Sequence, residues 1–71
     1  MDYVPVTSST VAAIAYDLGS NTLGVRFLSG AEYHYYGVPE GVYQGFLSAP
    51  SVGQYLDQCV KKAGYSYVRV G

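Results

Sequence analysis

Residues 11–36, VAAIAYDLGSNTLGVRFLSGAEYHYY, predict three short strands joined by tight turns. Apolar side chains alternate with small or polar ones from Val11 to Asp17, from Thr22 to Leu28 and from Ala31 to Tyr36. Glycine, serine and asparagine, which favour turns, fill the two intervals between these strands. Three strands with connections this short indicate an antiparallel meander.

After Tyr36 the apolar spacing changes from two residues to three and four, which predicts two helices. Pro39 suits the first position of a short helix, and Ala49-Pro50 ends it. A second helix follows, because Ser51 and Gln54 have the spacing of a capping box. Its apolar stripe consists of Val52, Tyr55, Leu56, Cys59 and Val60.

The remaining residues complete a single domain. Gly64 suits the end of the second helix, and Tyr65 to Val70 alternates again as a final strand. The order βββααβ over residues 1–71 therefore predicts an α+β fold. In this fold a small antiparallel sheet, made of the three-stranded meander plus the C-terminal strand, carries two helices packed on one face.

The composition excludes several functional classes. Four Lys and Arg side chains against five Asp and Glu leave a net charge of −1, which rules out a strongly electrostatic nucleic-acid clamp. One cysteine and one histidine exclude an internal disulfide framework and the usual zinc sites. A reducing, cytoplasmic setting fits, and we expect no membrane partner because the apolar runs are too short to cross a bilayer.

No set of residues indicates catalysis. The chain lacks a metal-ligand cluster, a glycine-rich phosphate loop and a recognisable Ser/His/Asp or Cys/His arrangement. Cys59 lies on the apolar helical stripe, and His34 has no carboxylate at a local spacing that would fix its tautomer. We therefore expect a non-catalytic protein with no cofactor, no metal and no catalytic residues.

Alternation sorts the side chains of the predicted sheet into two faces. We expect Leu23, Val25 and Phe27 to lie under the helices. The same helix-covered face would carry Ile14, Tyr16, Tyr33, Tyr35, Val68 and Val70. The opposite face, here called the open face, would carry Ala13, Ala15, Gly24, Arg26, Glu32, His34, Tyr36, Tyr65, Tyr67 and Arg69. Its centre is small, and its surroundings are rich in Arg, His and Tyr.

The open face is the binding site that the sequence predicts. Arginine forks suit phosphate oxygens, and Tyr or His rings stack on bases. The expected ligand-binding residues are Arg26, His34, Tyr36, Tyr65, Tyr67 and Arg69. The alternative is an ordinary solvated face, although such faces normally alternate in charged residues and this one hardly does. Ser8 and Ser9 could add anion contacts, with a turn or edge-capping role as their alternative.

Short motifs run nearly from end to end of the chain. They are Ser8-Ser9, Ile14-Ala15-Tyr16-Asp17, Leu23-x-Val25-x-Phe27, Gly30, Tyr33-His34-Tyr35, Val38-Pro39, Val42-Tyr43, Leu47, Ala49-x-Ser51-x-Gly53-x-Tyr55, Tyr65-Ser66-Tyr67 and Arg69. In these motifs the chain resembles the KTSC domain family, which occurs at the C-terminus of some lysyl-tRNA synthetases and as stand-alone proteins. Lys61 stands where the family usually has Arg, so we count it with Ser8 and Ser9 as an additional anion contact.

Binding functions of different classes stay open. The resemblance implies an RNA- or tRNA-binding accessory domain, although an isolated domain would bind RNA weakly: engaging all four cations gives a salt slope of only about −2.8. A nucleotide-like small molecule suits one or two cations and an aromatic shelf better. Our leading prediction is a homo-oligomer that captures such a molecule, and by analogy it could sequester a signalling nucleotide as phage sponges do. A purely structural interaction module is the third alternative.

Overall fold

Five antiparallel strands form one sheet, in the order β1-β2-β3-β4-β5, in the computed structural model, which describes residues 1–71. The strands are β1 (Val4–Pro5), β2 (Val11–Asp17), β3 (Thr22–Phe27), β4 (Glu32–Tyr35) and β5 (Tyr67–Arg69). Between β4 and β5 lie α1 (Glu40–Ser48), α2 (Val52–Leu56) and a π-helical turn (Asp57–Lys61). The α+β fold and the meander are confirmed.

Three local features differ from the sequence-based prediction. β1 is an additional edge strand of two residues, which is too short to show a periodic pattern. The second helix is not α-helical throughout, because the Lys62 N–H donates to the Asp57 carbonyl at 3.0 Å, five residues back. Pro39 caps α1 from outside instead of occupying its first position. The predicted N-cap of α2 is confirmed, since the Gln54 N–H donates to Ser51 Oγ at 3.3 Å.

The helices pack on the face that carries Ile14, Leu23 and Val25, all fully buried. The core cluster is Val11, Ile14, Leu23, Val25, Tyr35, Val38, Phe46, Val52, Leu56 and Val60. Val11 and Ile14 both reach this core although they are three positions apart, an offset that places residues of a regular strand on opposite faces. The reason is a bulge in β2, where the pairing with β3 shifts register between Val11 and Ala13.

The faces of β5 are opposite to those predicted. Directly paired residues of antiparallel strands point to the same face, and Tyr67 pairs with Tyr35 while Arg69 pairs with Tyr33. Tyr67 and Arg69 therefore lie on the helix side of the sheet. Val68 pairs with His34 on the open face. The prediction failed because the helix layer does not cover β5, so its helix side is exposed and suits Tyr and Arg.

Candidate ligand-binding cleft

A cleft of about 550 Å³ lies on the helix side of the sheet, beyond the region that the helices cover. One wall comes from β3, β4 and β5, and the other comes from the π-helical turn and the segment that leads into β5. The lining residues are Phe27, Tyr33, Tyr35, Val60, Lys61, Gly64, Tyr65 and Tyr67. Gly64 has a φ of 83°, a left-handed conformation that lets the chain turn from the helix back to the sheet.

Aromatic rings form a continuous surface on the sheet wall of this cleft. The ring centroid of Tyr67 lies 5.5 Å from that of Tyr35 and 5.9 Å from that of Tyr33, and Phe27 meets Tyr33 edge to face at 5.9 Å. Burial, followed by the nearby Tyr33 and Tyr67 hydroxyls, raises the pKa of Tyr35 above its ordinary value. The Tyr35 hydroxyl therefore stays protonated at neutral pH, where it is both a donor and an acceptor.

Lys61 supplies the cleft's positive charge. It is the last residue of the π-helical turn, and its Nζ lies 5.5 Å from the centre of the Phe27 ring. The neighbouring Lys62 pairs with Asp57 at 3.6 Å, whereas Lys61 forms no salt bridge. Val60 and Lys61 both line the cleft, Val60 as a buried residue and Lys61 as an exposed one. Lys61 is thus a cation available to an anionic ligand.

A second, polar groove of about 840 Å³ adjoins the cleft and shares Phe27 and Lys61 with it. Ser9 lines this groove, but Ser8 does not. The Ser8 Oγ accepts hydrogen bonds from the N–H groups of Thr10 and Val11, both at 3.2 Å. Of the three predicted anion contacts, Lys61 and Ser9 therefore lie on one surface, and Ser8 serves the turn before β2.

The centre of the open face, at Gly24, is covered by the N-terminal segment. A Cβ atom added to Gly24 would lie only 2.5 Å from the Tyr3 hydroxyl and 3.0 Å from the Met1 sulfur. The Tyr3 hydroxyl donates to Glu32 at 2.7 Å, and the Arg26 guanidinium lies 4.2 Å from the Tyr3 ring centre. The small central residue Gly24 thus accommodates the chain's own tyrosine, so the expectation of room for a planar ligand at the centre of this face is wrong.

The predicted site residues consequently divide between two faces. Arg26, His34 and Tyr36 lie on the open face, where Arg26 and His34 both approach Glu32, at 3.4 and 3.7 Å. Tyr65 and Tyr67 line the cleft on the helix side. Arg69 lies beside the cleft and donates from Nε to the Gly71 carbonyl at 2.9 Å.

Sequence reasoning missed several members of the cleft. The alternation places Phe27, Tyr33 and Tyr35 on the helix-covered face, but of these only Tyr35 is buried. One signal in the sequence could have revealed them. Alternation places more large rings on one face of the sheet than two short helices can cover, so some of these rings must be exposed. Tyr3 was missed because a two-residue strand gives no pattern.

Replacing Tyr3 by Phe tests the cover of the open face. The hydrogen bond from Tyr3 is the largest cause that lowers the pKa of Glu32 below its ordinary value, 4.5. A carboxyl group whose pKa is lowered in the folded protein stabilises the fold at pH values above its ordinary pKa. This stabilisation is lost as the pH falls through the lowered pKa. Tyr3→Phe should therefore unfold at lower urea concentration than wild type at pH 7, with the difference shrinking below pH 4.5.

The control is Tyr36→Phe, since Tyr36 is exposed on the same face. This variant should match wild type at every pH. A difference between Tyr3→Phe and wild type that stays constant from neutral to acid pH would contradict the role of the charged Glu32.

No group of three or more His, Cys, Asp or Glu side chains is arranged to hold a metal ion. None of the helices has the length and apolarity that crossing a bilayer requires.

Solved and sequenced proteins resemble this chain over 80–99% of its length. A KTSC domain protein from Yersinia pestis superposes with a TM-score of 0.90 at 36% identity, covering 99% of this chain and 97% of that one. A protein of Stutzerimonas stutzeri is 39% identical over 70 residues, which is 99% of each chain. A protein of Tsukamurella paurometabola is 42% identical over 57 residues, or 80% of this chain and 85% of that protein.

A lysine–tRNA ligase of Nostoc punctiforme contains a related segment. The match is 34% identical over 53 residues, which is 75% of this chain and 9% of the ligase. The sequence model of the KTSC domain matches residues 7–69, a range that includes all of the sheet except β1 and the entire cleft. The chain therefore belongs to the KTSC domain family.

Proposed function

We propose that this protein is a non-catalytic, cytoplasmic binding domain whose aromatic cleft holds the base of a nucleotide-like molecule. The observation that carries the proposal is the juxtaposition of five aromatic rings with a lysine that has no carboxylate partner. Rings of this kind stack on bases whatever their identity, and the lysine attracts phosphate. The proposed ligand-binding residues are now Phe27, Tyr33, Tyr35, Tyr65, Tyr67 and Lys61.

The size of the cleft supports a small ligand. Pockets for small molecules typically enclose about 300–1,000 Å³, and this cleft encloses about 550 Å³. Tyrosine hydroxyls at its rim can bond to the polar edge of a base. The cleft's titratable side chains are tyrosines and one lysine, so it offers no carboxylate or imidazole for acid–base chemistry at neutral pH. These features favour binding without turnover.

RNA binding is the second candidate, and one observation favours it. The polar groove continues from the cleft at Lys61 and Phe27, so a second nucleotide could follow the first along this surface. The related segment in the lysine–tRNA ligase is compatible with that use. The surface has few cations, however, and five carboxylates in the chain oppose a polyanion. A single nucleotide therefore fits the charge better.

Calorimetric titration distinguishes the two candidates. We expect adenosine monophosphate (AMP) to bind one molecule per chain, with a modest loss of affinity as salt rises. A hexameric oligoadenylate should bind no more tightly than AMP. If instead only the oligoadenylate binds, and its salt slope is steeper than the value of about −0.7 that a single phosphate contact gives, RNA is the ligand. No saturable binding of either would overturn both candidates.

Sequestration of a signalling nucleotide by a homo-oligomer is the finer form of this proposal. It requires a ligand retained through purification. Native mass spectrometry of protein purified from cells that contain such nucleotides would report the subunit number and any retained mass together. An oligomer that carries and releases a nucleotide is the expected result, whereas a bare monomer contradicts sequestration.

A further inference from the structure

β5 is an edge strand whose outer backbone groups have no partner within the chain. The Val70 N–H donates to the Glu32 carbonyl at 2.8 Å, and the Tyr36 N–H donates to the Ser66 carbonyl, also at 2.8 Å. In an antiparallel ladder, residues with bonds toward one neighbour alternate with residues whose bonds point the other way. The N–H and C=O groups of Tyr67 and Arg69 therefore point outward from the sheet edge.

This outward pattern is complementary to itself. When a second copy of β5 approaches antiparallel with a two-fold axis at Val68, Tyr67 pairs with the partner's Arg69. By symmetry, Arg69 pairs in the same way with the partner's Tyr67. Both are then hydrogen-bonded pairs, so all four outward groups of each strand are satisfied. Val68 faces the partner's Val68 as a non-hydrogen-bonded pair on the open face, where its side chain is 43% exposed in the single chain.

We propose that two copies of this chain pair through β5 and that each contributes Arg69 to the other's cleft. Paired residues of antiparallel strands point to the same face with Cβ atoms about 5 Å apart. Tyr67 lines the cleft, so the partner's Arg69 stands at its rim across from Tyr67. The cleft then has two cations, Lys61 and the partner's Arg69, for the phosphates of the ligand. This inference rests on the proposed function for the role of Arg69.

Charge and polarity favour a second copy as the occupant of this edge. In the two-fold register each Arg69 meets a tyrosine and not the other Arg69, which allows a cation–π contact and avoids like-charge opposition. The chain's net charge of −1 adds little repulsion between copies. Neither a proline nor a lysine interrupts Tyr67–Arg69, although natural edge strands commonly use both to prevent pairing. Val68 and Val70 also gain cover on the open face.

A three-residue edge makes a small interface, so the dimer should be weak without ligand. A ligand held by groups from both copies binds the dimer better than the monomer. By linkage, adding that ligand must then shift the equilibrium toward the dimer.

Disulfide trapping tests the register. In a Cys59→Ala background, Val68→Cys should cross-link under mild oxidation at least about ten times faster than the matched Val70→Cys. The reason is distance: paired Cα atoms at the two-fold lie about 4.5 Å apart, which suits a disulfide. The two Val70 positions would be offset by four residues, roughly 13 Å. Equal rates for the two variants would overturn the pairing.

Charged variants give an independent measurement that needs no oxidation. Val68→Lys and Val68→Glu should each sediment as a monomer, and their equimolar mixture should form a dimer, because opposite charges then meet at the two-fold. Circular dichroism should show native structure in both variants, since Val68 is an exposed position. A mixture that remains monomeric at concentrations where wild type dimerises would overturn the pairing.

Titration with AMP separates this inference from the proposed function. The linked Val68→Cys dimer should bind AMP about ten-fold more tightly than Val68→Lys, and Arg69→Ala in the linked dimer should remove that gain. Equal affinities would overturn the shared site and leave the proposed function standing. A linked dimer that forms normally while neither protein binds AMP would overturn the proposed function and the shared site, but would confirm the pairing.

Discussion

Replacing Gly45 by Ala should lower the free energy of unfolding by about 2–4 kcal/mol, an unusually large cost for a glycine-to-alanine change in a helix. Gly45 lies in the middle of α1, where the Tyr55 side chain crosses the helix. The Tyr55 hydroxyl donates to the Val42 carbonyl at 2.8 Å, and its ring packs edge to face on Phe46 at 4.7 Å. A Cβ at Gly45 would occupy the space of the Tyr55 hydroxyl and ring edge. Urea unfolding measures the loss.

The matched control is Gly41→Ala in the same helix. A Cβ at Gly41 meets no atom within 4 Å, so this change should be neutral or stabilise by up to about 1 kcal/mol through helix propensity. In addition, Gly45→Ala should lower the free energy of unfolding by less in a Tyr55→Leu background, because the smaller side chain leaves room for the new methyl group. Equal and small effects of the two alanine substitutions would contradict the close crossing of α1 by Tyr55.

Tyr67→Ala should weaken AMP binding by about 10- to 100-fold, since one base–aromatic stacking contact contributes roughly 1–3 kcal/mol. Tyr67 is 60% exposed and contacts both Tyr33 and Tyr35, so its removal takes away part of the stacking surface without leaving a cavity in the core. Lys61→Met should weaken binding as well, with the loss largest at low salt, because it removes the cation that the chain itself supplies to the cleft. Calorimetry measures both affinities.

Two variants on the open face are the controls for this loss. Tyr36→Ala removes a tyrosine that is 40% exposed, and Arg26→Ala removes the cation that stacks on Tyr3. Neither should change AMP affinity, although the sequence alone predicted both residues as ligand contacts. If Arg26→Ala or Tyr36→Ala weakens binding as much as Tyr67→Ala, the ligand lies on the open face and the cleft is wrong.

The meander could be predicted because its information is local. From Val11 to Tyr36 the alternation of side chains and the turn residues between strands agree with one another, and the register follows once those turns are short. The cap at Ser51 is local in the same sense, since its partner is Gln54, three residues along the chain. The family resemblance rested on these local landmarks.

The candidate site was harder because its residues are brought together by long-range pairing. In the segment Tyr67-Val68-Arg69 the sequence allows Tyr67 and Arg69 to lie on either face of the sheet. Only the register against β4 decides that Tyr67 lies on the same face as Tyr35. The π-helical turn that carries Lys61 to the cleft comes from hydrogen bonds that reach five residues back, such as the one from the Lys62 N–H to the Asp57 carbonyl, and residue type does not reveal them. The cover over Gly24 depends on Tyr3, whose partner Glu32 is 29 residues away.

The most direct test of the account is a titration of isotope-labelled protein with AMP, followed by two-dimensional NMR of the backbone amides. We predict that the largest shift changes occur around the cleft, at Phe27, Lys61, Gly64 and Tyr67, while the amides of Ala15 and Gly24, which pair at the centre of the open face, do not change. Shift changes concentrated at Ala15 and Gly24, with the cleft unaffected, would contradict the central claim that the aromatic cleft is where this protein binds its ligand.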